Sequence, residues 1–110
     1  MSEPSFFDNV LEVAKLIPRG RITNYGAIAR YLGTAKSSRA VGYALNSTPG
    51  RSDIPAHRVV NRLGMLSGRH HFPSPTAMQE ALEAEGIEVE NNQIKDFKRY
   101  FWDPSIELEL

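Results

Sequence analysis

Ile22-Thr23-Asn24-Tyr25-Gly26-Ala27-Ile28-Ala29-Arg30-Tyr31-Leu32-Gly33, continued after three residues by Ser37-Ser38-Arg39-Ala40-Val41-Gly42-Tyr43-Ala44-Leu45-Asn46, is the stretch whose reading decides the fold. Thr23 is a residue type that caps helix N-termini, Tyr25 to Leu32 has amphipathic spacing, and Gly33 suits a left-handed C-terminal cap. Ser37 and Ser38 can cap a second helix from Arg39 to Asn46. Two short helices joined by a glycine-containing turn predict a helix-turn-helix, with the second as recognition helix. Ala40, Gly42 and Ala44 are small, which permits close approach to another helix or to a nucleic-acid groove; the pattern fits both.

Upstream, Ser5 with Asp8 three residues on forms a capping pattern, and Phe6, Val10, Val13, Ala14 and Ile17 recur at helical spacing, predicting a helix over Phe6 to Leu16 with Phe6 and Phe7 as core anchors. Thr48 to Asp53 is a loop by composition. Val59-Val60 and Met65-Leu66 around Asn61-Arg62-Leu63-Gly64 predict a hairpin, the wing of a winged helix. Ser74-Pro75 begins another helix with proline at its first position, and Gly86 stops it. Ile87 and Val89, Asn91-Asn92, then Ile94 predict a second small hairpin. Phe97, Tyr100, Phe101 and Trp102 are expected to cover the core, and residues 107–110 to be disordered. The expected fold class is mainly α with small β-hairpins: a winged helix-turn-helix on a three-helical bundle, one domain over 1–110.

With 110 residues the chain can bury one modest core, and with no cysteine it excludes disulfides, thiolate metal sites and a cysteine nucleophile. Met1 to Pro4 is acidic and no long apolar run follows, so neither a signal peptide nor a membrane span is expected; a cytoplasmic protein is, nucleoid-associated in a bacterium or nuclear in a eukaryote. Net charge is zero but unevenly spread: from Lys15 to His71 ten Lys or Arg face one acid, Asp53, for a formal charge of +9. A cationic middle with helix-turn-helix punctuation favours a phosphate-bearing partner.

A second stretch, Ile54-Pro55-Ala56-His57-Arg58-Val59-Val60-Asn61, resembles the Pro-Cys-His-Arg-Val signature of the O6-alkylguanine-DNA alkyltransferases (methylated-DNA-protein-cysteine methyltransferases), with Ala56 at the cysteine position. The Thr-x-Tyr-Gly-x-Ile-Ala run from Thr23, the Arg-Ala-Val-Gly run from Arg39 and the closing Glu85-Gly86 fall in family order, so the resemblance spans the DNA-binding domain of that family. In those enzymes a thiolate attacks the alkyl carbon, and a methyl side chain has no lone pair with which to do so. The chain is therefore similar to the alkyltransferase-like proteins, which implies binding of O6-alkylguanine in double-stranded DNA without catalysis, hand-over to nucleotide excision repair proteins, a monomer, and no cofactor, metal or membrane.

The resemblance also implies roles for particular residues. Arg39 corresponds to the arginine that enters the base stack from the minor groove in place of the extruded nucleotide, and Tyr25 to the tyrosine that crowds the neighbouring phosphate. Ser38, Ala40 and Gly42 join them on the DNA-facing side. Tyr25, Pro55, Ala56, Val59, Ser67, Arg69 and His70 would build the lesion pocket, with the alanine leaving room for bulky adducts. Arg69 has two roles open to it, contact with the guanine or with a phosphate from the wing. His70 and His71 are adjacent, point apart and make a poor metal pair. His57, Glu85 and Asn61, vestiges of the catalytic relay, are expected with Arg58 in a buried hydrogen-bond network. Two other functions are weighed. A winged-helix regulator would need long polar side chains along the recognition helix. A residual alkyl-transfer or hydrolytic enzyme would have to activate water at His57 with no metal or second carboxylate to help.

Overall fold

The computed structural model describes residues 5–33, 38–47 and 51–108. Helix α1, Phe6–Lys15, starts on the expected capping box: the Ser5 hydroxyl accepts from the Asp8 N–H and the Asp8 carboxylate accepts from the Ser5 N–H. Its stripe of Val10, Val13 and Ala14, extended by Ile17, is buried. Phe6 packs partly against this core, but Phe7 is 41% exposed, because consecutive helix positions cannot share a face.

Strand β1, Thr23–Asn24, leads directly into helix α2, Tyr25–Tyr31. The N-cap is Asn24 rather than Thr23: the Asn24 Oδ1 accepts the Ala27 N–H at 2.7 Å. Thr23 lies one residue too early and is held in a β-ladder, fully buried. Gly33 closes α2 with φ +63°, as its position after the last apolar residue predicts. Helix α3, Ser38–Asn46, packs on α1 and α2 through Val41, Ala44 and Leu45. The turn between α2 and α3, with the expected capping role of Ser37, lies outside the described residues.

The wing is where the structure departs most from expectation. Val59–Val60 (β2) does not fold back on Met65-Leu66; it pairs in parallel with β1, Thr23 opposite Val59 and Asn24 opposite Val60. Residues 61–65 still form a closed turn, with the Asn61 N–H donating to the Met65 carbonyl at 3.1 Å, but Met65 bridges to Gln93 instead. The reason is burial. Val59 and Val60 are both fully buried, and alternate strand positions face opposite ways, so Val59 enters a core cluster with α1, α2, α3 and Trp102 while Val60 enters a second with Ile22, Leu66, Met78 and Leu82. An exposed two-stranded wing would leave one of them in water.

A single 3-10 turn, Ala56–Arg58, precedes β2, and another, Arg69–His71, follows it. Helix α4 runs Ala77–Ala84, two residues later than proline at the first position predicts. Its first i to i+4 bond is from the Glu80 N–H to the Thr76 carbonyl; the Ala77 N–H instead reaches Ser74 in a tighter turn, which leaves Pro75 outside the helix. Gly86, at φ +85°, ends α4. Hairpin β3 (Val89–Glu90) and β4 (Gln93–Ile94) forms as expected, with Asn91 and Asn92 both at positive φ.

The tail is more ordered than its composition predicts. The Ile22 N–H donates to the Tyr100 carbonyl and the Trp102 N–H to the Ile22 carbonyl, while Arg21 donates to the Tyr100 and Phe101 carbonyls, binding the segment to the start of β1. Helix α5 is Phe97–Tyr100. Helix α6, Pro104–Glu107, is capped by Asp103, and Leu108 packs on the helical core, so Glu107 and Leu108 are placed where disorder was expected.

Candidate functional site

Tyr25 is the first residue of α2 and the residue around which the site is arranged. Burial raises its pKa above the ordinary 10.0, with the neighbouring Ser67 side chain working the other way. Two glycines let the ring lie where it does. A Cβ on Gly68 would stand 3.0 Å from the Tyr25 hydroxyl, and one on Gly42 would stand 3.9 Å from the ring edge. A side chain at Gly68 would therefore require the Tyr25 hydroxyl to give way, whereas one at Gly42 would be merely in contact.

One wall of Tyr25 faces a recess of about 250 Å³, closed on the α3 side by Ser38, Arg39, Gly42, Tyr43 and Asn46 and on the other by Ser67, Gly68 and His71. This recess brings together Tyr25, Ser38, Arg39, Gly42 and Ser67 from the expected set. The others lie elsewhere. Val59 is fully buried in the core, since its ladder with Thr23 turns it inward, and is not among the residues that line this recess. Pro55 and Ala56 stand half-buried at the head of the 3-10 turn, and Ala40 is half-buried on α3. Arg69 and His70 line a neighbouring recess with Phe72 and Pro73, and Arg69 Nη1 donates to the Leu66 carbonyl. His70 and His71, consecutive on one 3-10 turn, thus open onto different recesses.

Sequence reasoning placed the loop from Ser67 to His70 at the pocket and so reached Gly68, but missed Tyr43, Asn46 and His71 as lining residues. Tyr43 was accessible to it: it sits four positions after Arg39, on the same helical face, and is 60% exposed.

The expected network is present without one member. Glu85, 4% exposed at its side chain, accepts from Arg58 through Nε and Nη2, from the Gly20 N–H at 2.8 Å, and meets His57 Nε2 directly at 2.6 Å. Burial is the largest single influence on the Glu85 carboxyl and pushes it up; the hydrogen bonds from Arg58, Gly20 and His57 together outweigh it and bring the pKa down to about 2. Arg58 Nη1 also reaches the Ile17 carbonyl, so the network staples α1, the motif turn and α4 together. Asn61 is not part of it. Its Oδ1 accepts the N–H groups of Leu63 and Met65 and shapes the turn after β2.

Folding also sorts the basic segment. Lys15 and Arg51 pair with Asp53, Arg58 with Glu85, and Arg21 reaches Glu107. Arg30, Arg39, Arg62 and Arg69 have no carboxylate partner among the described residues, and Arg30, Arg39 and Arg62 line recesses on the two sides of Tyr25.

A mostly helical domain whose second and third helices pack as a helix-turn-helix, with the Ala-His-Arg turn locked to a glutamate, is the alkyltransferase type of DNA-binding domain. The chain belongs to the family of the 6-O-methylguanine DNA methyltransferase DNA-binding domain, whose pattern matches residues 5–87. It is 32% identical over 108 residues to alkyltransferase-like protein 1 of Schizosaccharomyces pombe, spanning 94% of this chain and 100% of that one. It is 38% identical over 100 residues to the DNA base-flipping protein of Escherichia coli, spanning 91% of this chain and 76% of that one. The crystal structure of the S. pombe protein in complex with damaged DNA containing O6-carboxymethylguanine superposes with a TM-score of 0.79 at 32% identity, covering 94% of this chain and 100% of that one.

Proposed function

We propose that this protein recognises O6-alkylguanine in duplex DNA without repairing it. The observation that carries this function is one pairing of features: Tyr25 and Arg39 line a single recess, while position 56, at the head of the Ala-His-Arg turn, presents a methyl group. The base is extruded past Tyr25, Arg39 fills the vacated stack, and the guanidinium plane hydrogen-bonds the orphaned partner base. The small residues of α3 suit entry from the minor groove, where shape and backbone contacts count for more than base edges. His57, Glu85 and Arg58 act as a structural staple, with no thiol to deprotonate. A monomer that hands the site to nucleotide excision repair proteins, in the cytoplasm or nucleus, follows from the same proposal.

Paired duplexes, one carrying O6-methylguanine and one guanine, test it by electrophoretic shift. Tighter binding of the lesion duplex is expected, with both DNA and protein of unchanged mass after incubation. Equal affinities would sink the proposal, and a methyl found on the protein would overturn its non-enzymatic half. Arg39→Ala is expected to weaken lesion binding by about tenfold or more, since unstacking worth a few kcal/mol is no longer offset.

A further inference from the structure

On the far side of Tyr25 lies a second recess, of about 340 Å³, that shares Tyr25 and Ser38 with the first and is lined besides by Asn24, Gly26, Arg30, Asn61 and Arg62. Besides the Tyr25 and Ser38 hydroxyls, which can donate as well as accept, the side-chain polar groups it leaves free are donors. Asn24 commits its Oδ1 to the Ala27 N–H, and Asn61 commits its Oδ1 to the N–H groups of Leu63 and Met65. A backbone N–H can only donate, so both amides are fixed with oxygen inward, leaving each Nδ2 without a partner among the described residues. Arg30 and Arg62 bring guanidinium groups, which can only donate, and neither has a carboxylate partner among the described residues. No Asp or Glu lines the recess.

Two like charges sharing a concavity with unpaired amide donors raise the energy of the free protein, and an acceptor-only anion relieves it. Gly26 makes the arrangement possible: a Cβ there would stand 3.3 Å from Arg30 Nη1 and 3.8 Å from the Ser38 hydroxyl, so the missing side chain leaves the space into which the Arg30 guanidinium folds.

We propose that this recess is a phosphodiester clamp in which Arg30 and Arg62, with the Asn24 and Asn61 amides, grip one phosphate of the strand that passes Tyr25. The clamp rests on the duplex-binding function above and adds a contact indifferent to the lesion. It holds the strand on one side of Tyr25 while the base is handled on the other.

Salt titrations of duplex binding with Arg30→Gln, Arg62→Gln and the double variant read it out. Both side chains are exposed, so folding is not at stake. Each single variant is expected to weaken lesion and plain duplexes by the same factor, about tenfold. The double variant is expected to add little, and to lower the slope of log affinity against log salt by about 0.9, one phosphate's worth. A methylphosphonate walked along the strand should weaken wild-type binding at one position that is silent in the double variant. An unchanged salt slope, a fall of about 1.8 with additive losses, or identical methylphosphonate profiles would overturn the clamp. The ratio of lesion to plain affinity, measured in the same series, reports separately on lesion recognition. It is expected to stay constant across the variants, and a ratio of one in wild type with the clamp effects intact would remove lesion recognition alone.

Discussion

Gly68 carries a constraint that its residue type alone does not announce. The 3.0 Å that a Cβ would leave to the Tyr25 hydroxyl is shorter than ordinary contact. Gly68→Ala is therefore expected to push the Tyr25 ring toward α3, narrow the recess, and weaken lesion binding by roughly tenfold, with the midpoint of urea unfolding little changed. Gly42→Ala, whose Cβ would stand in ordinary contact at 3.9 Å from the ring, leaves the ring in place and is expected to lose less. A loss of equal size in both variants would show that the recess tolerates no added methyl anywhere. Of the residues that line the recess, Tyr25 and Arg39 were legible because they stand at fixed offsets inside short motifs. His71 and Asn46 were not, since what places them is the meeting of a loop and a helix that are distant in sequence.

Among the elements, caps and turns were read from local chemistry and long-range pairing was not. The Ser5 capping box and the Asn91-Asn92 hairpin need only residues a few positions apart, and both formed. The wing reading failed at Val59-Val60 because a run of two apolar residues does not say which partner it will take, and the partner, Thr23–Asn24, lies more than thirty residues upstream. The same pairing moved the cap of α2 from Thr23 to Asn24, with opposite consequences for substitution at adjacent positions. Asn24→Ala removes the acceptor for the Ala27 N–H and should destabilise by about 1 kcal/mol. Thr23→Val should be neutral or stabilising, because the buried Thr23 hydroxyl has no hydrogen-bond partner among the described residues. Chemical denaturation of the two variants checks both signs. Destabilisation by Thr23→Val as large as that by Asn24→Ala would refute the assignment.

At the scale of the whole molecule, two core clusters meet at β2, and the Glu85 network ties the helical one to α4. That tie gives the protein an acid limit. The folded-state pKa of Glu85 is held at about 2, below the ordinary 4.5, so the carboxylate stabilises the fold fully above about pH 4.5 and the contribution is lost as pH falls toward 2. Glu85→Gln should lower stability at neutral pH and flatten the fall between those values, as followed by the fluorescence of Trp102, the only tryptophan. An acid limb as steep as that of wild type would place the titrating group elsewhere. The +9 segment told of a cationic surface but not of its partition. Lys15 and Arg51 pair with Asp53 nearby in sequence, Arg21 and Arg58 with carboxylates from distant parts of the chain, while Arg30, Arg39 and Arg62, with no carboxylate partner among the described residues, line the two recesses that share Tyr25.

The methyl group of Ala56 at the head of the motif turn has one more implication. A suicide nucleophile is spent by its first encounter, so the number of copies sets how many adducts a cell can clear. Under the function proposed above, a chain with nothing to spend leaves each encounter unaltered and is free for the next, so few copies would serve a long chromosome, and the agents that damage the DNA would find no thiol on it to poison.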